Sequence, residues 1–226
     1  MKKLKNCGEI SFVLGVVFLA LGTALMSRAG FGMSMVVAPA YVLSAWIGVI
    51  PPGTMCYICQ GFLIVVTSVM MRRFRVTYLF SFLSAVLFGL FVDLFGKPLA
   101  AFPADGLGAR ILLEALGIPI NALGVAYLFH TYFPPQAPEL FVRELSRRAG
   151  RQVYRVKYAY DLCSCALSIL LSLLLLGRWD WGILGVGTLI VTLVNSPLIA
   201  LWGRLLDRIA EYGPALPRLG AIFEKD

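Results

Sequence analysis

The chain has 226 residues, of which 59% are hydrophobic and 14% charged, with a mean hydropathy of +0.83, which excludes a soluble globular domain and points to an integral membrane protein. A net charge of +8 would suggest nucleic acid in a soluble protein. Here the basic residues fall between apolar runs, as the positive-inside rule expects, so no nucleic-acid partner is implied.

The opening "MKKLKNCGEI" has the basic character of a signal peptide. The apolar run after it, residues 10–27, is too long and lacks a small-x-small cleavage site, so it is read as a retained first span. The stretch "SRAGFGMSMVVAPAYVLS" then interrupts the apolar character with Arg28, Gly30, Gly32 and Pro39. Residues 29–71 contain no charge, and only "GFG", Pro39 and the turn "PPGT" break them. Residues 34–50 are expected to form a short or re-entrant helix and 54–71 a full span. Further spans are expected near 76–95, 111–131, 158–177 and 181–203, with an amphipathic segment at 137–152 and a cytoplasmic tail at 204–226. With six crossings and both termini in the cytoplasm, all basic residues except Arg28, Lys97, Arg110 and Arg178 fall on the inner side. A seventh crossing segregates them less well.

Two stretches align at a constant offset, "LGVVFLALGTALM" from Leu14 and "LGIPINALGVAYL" from Leu116. The same offset pairs Arg28 with His130, Ser44 with Ser146, Gly48 with Gly150 and Asp93 with Asn195. The expected fold is thus an all-α membrane protein of about six transmembrane helices in two weakly similar halves, residues 1–100 and 101–203. Each half has three spans and one extra short or re-entrant segment. Three spans per half require opposite insertion, the inverted repeat of many secondary transporters.

Polar groups within spans are costly unless they face a partner or a cavity, so they mark candidate sites. Arg28, with the Gly30, Gly32 and Ser34 helix start, suits an anionic group: the glycines allow a sharp turn, Ser34 can cap, and free amides attract negative charge. Gln60, Asn121 and Asn195 suit hydrogen bonds to a polar solute. Asp93, His130 and Asp161 are candidates for ion or proton coupling. Glu114 is a further charge within an apolar run. His130 is the only histidine, which excludes a histidine-rich zinc site. No P-loop, Rossmann fingerprint, G-x-S-x-G or H-E-x-x-H motif occurs, so no enzyme activity and no cofactor are expected. The "CYIC" pair, Cys56 and Cys59, reads as buried apolar residues rather than a redox dithiol.

"LGTALMSRAGFGMSMVVAPAYVLS", "FVRELSRRAGRQVYRVKYAYDL" and "GILGVGTLIVTLVNSPLI" resemble the YitT/YczE group of small bacterial membrane proteins, over residues 14–202. The resemblance implies a multi-pass protein of the bacterial cytoplasmic membrane with duplicated halves. The leading expectation is a secondary transporter or facilitator of a small polar, anionic or zwitterionic organic solute. The alternatives are a substrate-binding membrane subunit of a larger importer and a non-transporting accessory protein. Expected partners are membrane lipid, the solute, and either a second copy or a partner membrane subunit.

Overall fold

The structure, a computed structural model, describes residues 8–104, 106–134, 136–151 and 153–210. The basic residues Lys2, Lys3 and Lys5, Gln152 and most of the tail lie outside them. Six helices are long and apolar enough to cross a membrane. They are α1 (Gly8–Ala29), α3 (Pro52–Met71), α4 (Val76–Ala101), α5 (Leu107–Phe129), α7 (Val153–Leu171, continued by a π turn at Ser172–Leu176) and α8 (Val186–Ile209). Two shorter helices, α2 (Ala38–Ile47) and α6 (Ala137–Ala149), complete an order of long, short, long, long that occurs twice. The chain is therefore an all-α multi-pass membrane protein.

α2 does not cross. Its 10 residues span about 15 Å, half of a hydrocarbon core of about 30 Å. Both of its flanks also lie at one end of the bundle: Arg28, in the last turn of α1, donates to the Phe102 carbonyl at the end of α4, while Gly53 at the start of α3 donates to Asp93, late in α4. Ser34 does not cap α2 with its side chain. The cap position is Val37, and the Ser34 carbonyl instead accepts from the amides of Val37 and Ala38. Pro39 fits only the first helical turn, so it fixes where the helix begins. Gly48, at φ 74°, ends it in the left-handed conformation.

The centre of the molecule is the pair α1 and α5, which run antiparallel. Gly15 meets Leu128 and Gly124, Gly22 meets the Asn121 backbone, and Gly117 meets Met26 and Gly22. Without side chains at these positions the two backbones touch, which is how glycine faces drive helix association in lipid. α4 packs on the far side of α1, and α8 on the far side of α5.

The two flanks differ. α3 packs tightly on α4 because Gly53 and Gly89 bring backbone against backbone. At the repeat offset the second half has Arg155 and Val191 there. No comparable packing of α7 on α8 occurs among the described residues.

The last helix begins later than its apolar run suggests. Residues 181–185 form a turn: Gly182 donates to Asp180 Oδ1 at 2.9 Å, and the Ile183 and Leu184 amides bond the Asp180 carbonyl. Ile183 and Leu184 are apolar because they are buried in the protein, not because they are helical.

Candidate functional site

α1 ends at a turn built on Gly30 and Gly32, with φ of 68° and 122°, values that a side chain resists. The segment after it pairs with the loop before α8. The Gly187 amide donates to the Phe31 carbonyl at 2.7 Å, and the Met33 amide donates to both the Ile183 carbonyl and the Thr188 hydroxyl at 3.1 Å. The irregular segment after α1 is thus satisfied inside the bundle by Ile183 of the loop and by the first turn of α8, the condition under which irregular backbone is tolerated at membrane depth. A Cβ on Gly32 would lie 2.7 Å from the Gly185 nitrogen, so the crossing needs glycine on conformational and steric grounds alike.

Arg110, at the start of α5, closes this end. Its Nε donates to the Ala29 carbonyl at 2.7 Å and its second terminal nitrogen to the Gly30 carbonyl at 2.8 Å, and the guanidinium lies 4.7 Å from the centre of the Phe31 ring. Arg28 does the same for α4, donating to Phe102. Both arginines neutralise the negative carboxyl ends of helices.

Beneath the crossing lies Glu114. It is 6% exposed, and neither carboxylate oxygen has a hydrogen-bond partner in the structure. It sits seven residues into α5, about 10 Å along the helix. Its nearest lining is the start of α8, where a Cβ on Gly187 would meet Glu114 Oε1 at 2.6 Å. One further step of seven along the same helix face is Asn121, 4% exposed, whose amide donates to Thr23 Oγ1 at 3.2 Å and more distantly to the Leu19 carbonyl.

The expected site residues therefore separate. Gly30 and Gly32 form the crossing, Arg28 stands beside it, and Asn121 follows below it on the α1–α5 seam. Asn195 is on α8, with its buried Oδ1 lacking a partner. Gln60, whose Oε1 is also buried without a partner, is on α3, which packs on α2, α4 and α6, away from this seam. Asp93 is a helix cap: Oδ1 accepts from the Gly53 amide at 2.7 Å, and Oδ2 from the Thr54 amide and hydroxyl, each at 2.8 Å. His130 bonds the Ala126 carbonyl at 2.7 Å and Asp207 at 3.1 Å, at the opposite end of the bundle. Asp161 pairs with Lys157 at 3.0 Å, which also reaches Glu139. Cys56 and Cys59 are free thiols. Glu114 stands out only once its surroundings are known, because the sequence alone shows a glutamate near a helix start, where it could equally reach water.

The sequence model of one family matches residues 7–204, nearly the whole chain, and that family is described as one of unknown function, DUF6198. No curated protein and no solved structure matches. The match does not tie the chain to the YitT/YczE group specifically. Six apolar helices among the described residues, two of them paired through glycines, and a family match of this extent agree: the chain is a multi-pass membrane protein belonging to the DUF6198 family.

Proposed function

We propose that the protein is a secondary transporter or facilitator of a small polar organic solute, anionic or zwitterionic, in a bacterial cytoplasmic membrane. The observation that carries this reading is Glu114, a buried carboxyl without a partner, set within a spanning helix beside Gly187, where the start of α8 meets the turn after α1. A charge in a span is costly, and such residues mark ion or substrate pathways. The amino end of α8 favours negative charge and Glu114 favours positive charge. A zwitterion spanning the two, or a proton on Glu114 with an anion at the helix start, meets both. Coupling moves from Asp93, His130 and Asp161, all engaged elsewhere, to Glu114. Asn121 on α5 and Asn195 on α8 remain candidate hydrogen-bonding groups for the solute.

The α1–α5 contact supports two oppositely inserted halves. Gly15 faces Leu128, and Gly117, its counterpart at the repeat offset, faces Met26, the counterpart of Leu128. Gly22 with Asn121 and Gly124 with Leu19 repeat the relation. Such reciprocal contacts are those of a two-fold axis. In an antiparallel pair that axis lies across the helices, as in inverted-repeat transporters. The YitT/YczE resemblance points the same way, and the concentration of arginine at the α6 end supports a cytoplasmic position for that end.

The test is solute-driven proton movement in proteoliposomes containing an internal pH dye, over a panel of amino acids, organic acids, sulfonates and nucleosides. A solute that moves protons with the native protein and not with Glu114→Gln supports the reading. A blank panel with folded protein, both in proton movement and in uptake of the same solutes, overturns transport, and proton movement unchanged in Glu114→Gln overturns the role of this residue.

A further inference from the structure

At the basic end of the bundle, the ends of α3 and α6 enclose a cavity of about 560 Å³ lined by Met70, Met71, Arg72, Arg73, Glu144, Arg147 and Arg148. That volume lies within the range of about 300–1,000 Å³ usual for small-molecule sites. Glu144 is its anchor. The residue is 1% exposed, and three guanidiniums surround it: Arg75 at 3.4 Å, Arg147 at 3.6 Å and Arg73 at 3.7 Å.

One carboxylate does not neutralise this set. Arg73 and Arg147 remain 51% and 60% exposed, so each keeps donors free beyond its contact with Glu144. Arg148 reaches back to the Met70 carbonyl and closes the end of α3. Arg72 is the one non-glycine with positive φ among the described residues, at 51°. Glycine or asparagine suits that position better, so an arginine there points to a use for its side chain. Arg143, next to Glu144 in α6, is pushed down in pKa first by burial and then by Arg147.

Scattered loop arginines satisfy the positive-inside rule without any of this. A buried carboxylate that gathers them around a cavity does something more. Apolar residues adjoin it: Met70 and Met71 are in the lining, and Val69 and Phe74, which flank the lining residues 70–73 in the sequence at the end of a spanning helix, are 72% and 60% exposed. Guanidiniums bind phosphate oxygens in pairs through their planar fork, and basic pockets between membrane helices take lipid headgroups.

We propose that this cup binds the phosphate of an anionic phospholipid through Arg72, Arg73 and Arg147, with Glu144 gathering the arginines around it. A free phosphate shares the chemistry but has no use for the adjoining apolar residues.

The experiment measures the melting temperature of delipidated, detergent-purified protein titrated with phosphatidylglycerol, phosphatidylcholine or inorganic phosphate. The native protein is expected to be stabilised by phosphatidylglycerol alone. The double variant Arg73→Gln, Arg147→Gln should bind it about tenfold more weakly. The control Arg204→Gln, Arg208→Gln, which removes the same charge from exposed positions at the same end, should bind as the native protein does. If the double variant fails to fold, Arg147→Gln alone, at an exposed position, replaces it. Equal stabilisation by phosphatidylcholine, stabilisation by inorganic phosphate without lipid, or an equal loss in the control pair would each overturn the proposal.

Discussion

Gly22 and Asn121 meet across the central helix pair so closely that a Cβ on the glycine would stand 2.5 Å from the asparagine nitrogen. The neighbour is backbone, which cannot turn aside as a side chain can. Gly22→Val should destabilise the protein by at least about 3 kcal/mol, the upper range for overpacking a tight interface. Gly108→Ala, in a helix with nothing within 4 Å, should be neutral or stabilising by up to about 1 kcal/mol. Thermal unfolding of the two purified variants checks the contrast; a stable Gly22→Val protein would mean that α1 and α5 do not touch there.

Asp93 and the start of α3 make a capping relationship across two helices. Asp93→Ala leaves the Gly53 and Thr54 amides without acceptors and should cost about 2 kcal/mol. Asp93→Asn keeps one acceptor oxygen and should cost less. If Asp93 carried coupled protons instead, Asp93→Asn would abolish proton movement while leaving stability intact, and the two measurements together separate these roles.

Glu144→Ala removes a buried carboxylate from among three arginines. Breaking buried ion pairs typically costs about 3–5 kcal/mol, and the exposure of Arg73 and Arg147 lowers the expectation here to about 1–3 kcal/mol. The loss should shrink at high salt, where counter-ions screen the liberated arginines. Denaturation at low and high ionic strength reads this directly; a salt-independent loss would indicate packing rather than charge.

The sidedness of α2 can be tested chemically. In a cysteine-free background, Ser27→Cys, exposed just before α2, and Val49→Cys, 87% exposed just after it, should label from the same face of sealed vesicles. Labelling of Ser27→Cys and Val49→Cys from opposite faces would mean that α2 crosses.

The hydropathy pattern alone determined that the chain is a helical multi-pass membrane protein, because lipid forces every spanning segment to be long, apolar and internally hydrogen-bonded, and the distribution of basic residues favoured six spans over seven. The seam between α1 and α5 was half visible: Gly15, Gly22, Gly117 and Gly124 are regular in the sequence, but nothing there says which glycine face meets which. Tertiary structure decided the fate of the polar residues. Asp93 and Gly53 are 40 residues apart, and only the antiparallel packing of α3 on α4 turns that carboxylate into a cap. Glu114 looks ordinary beside its sequence neighbours, and becomes a buried carboxyl without a partner only when the start of α8 packs against it. Within a span, a charge is defined by what the neighbouring helices bring to it, and that information is spread over distant parts of the chain.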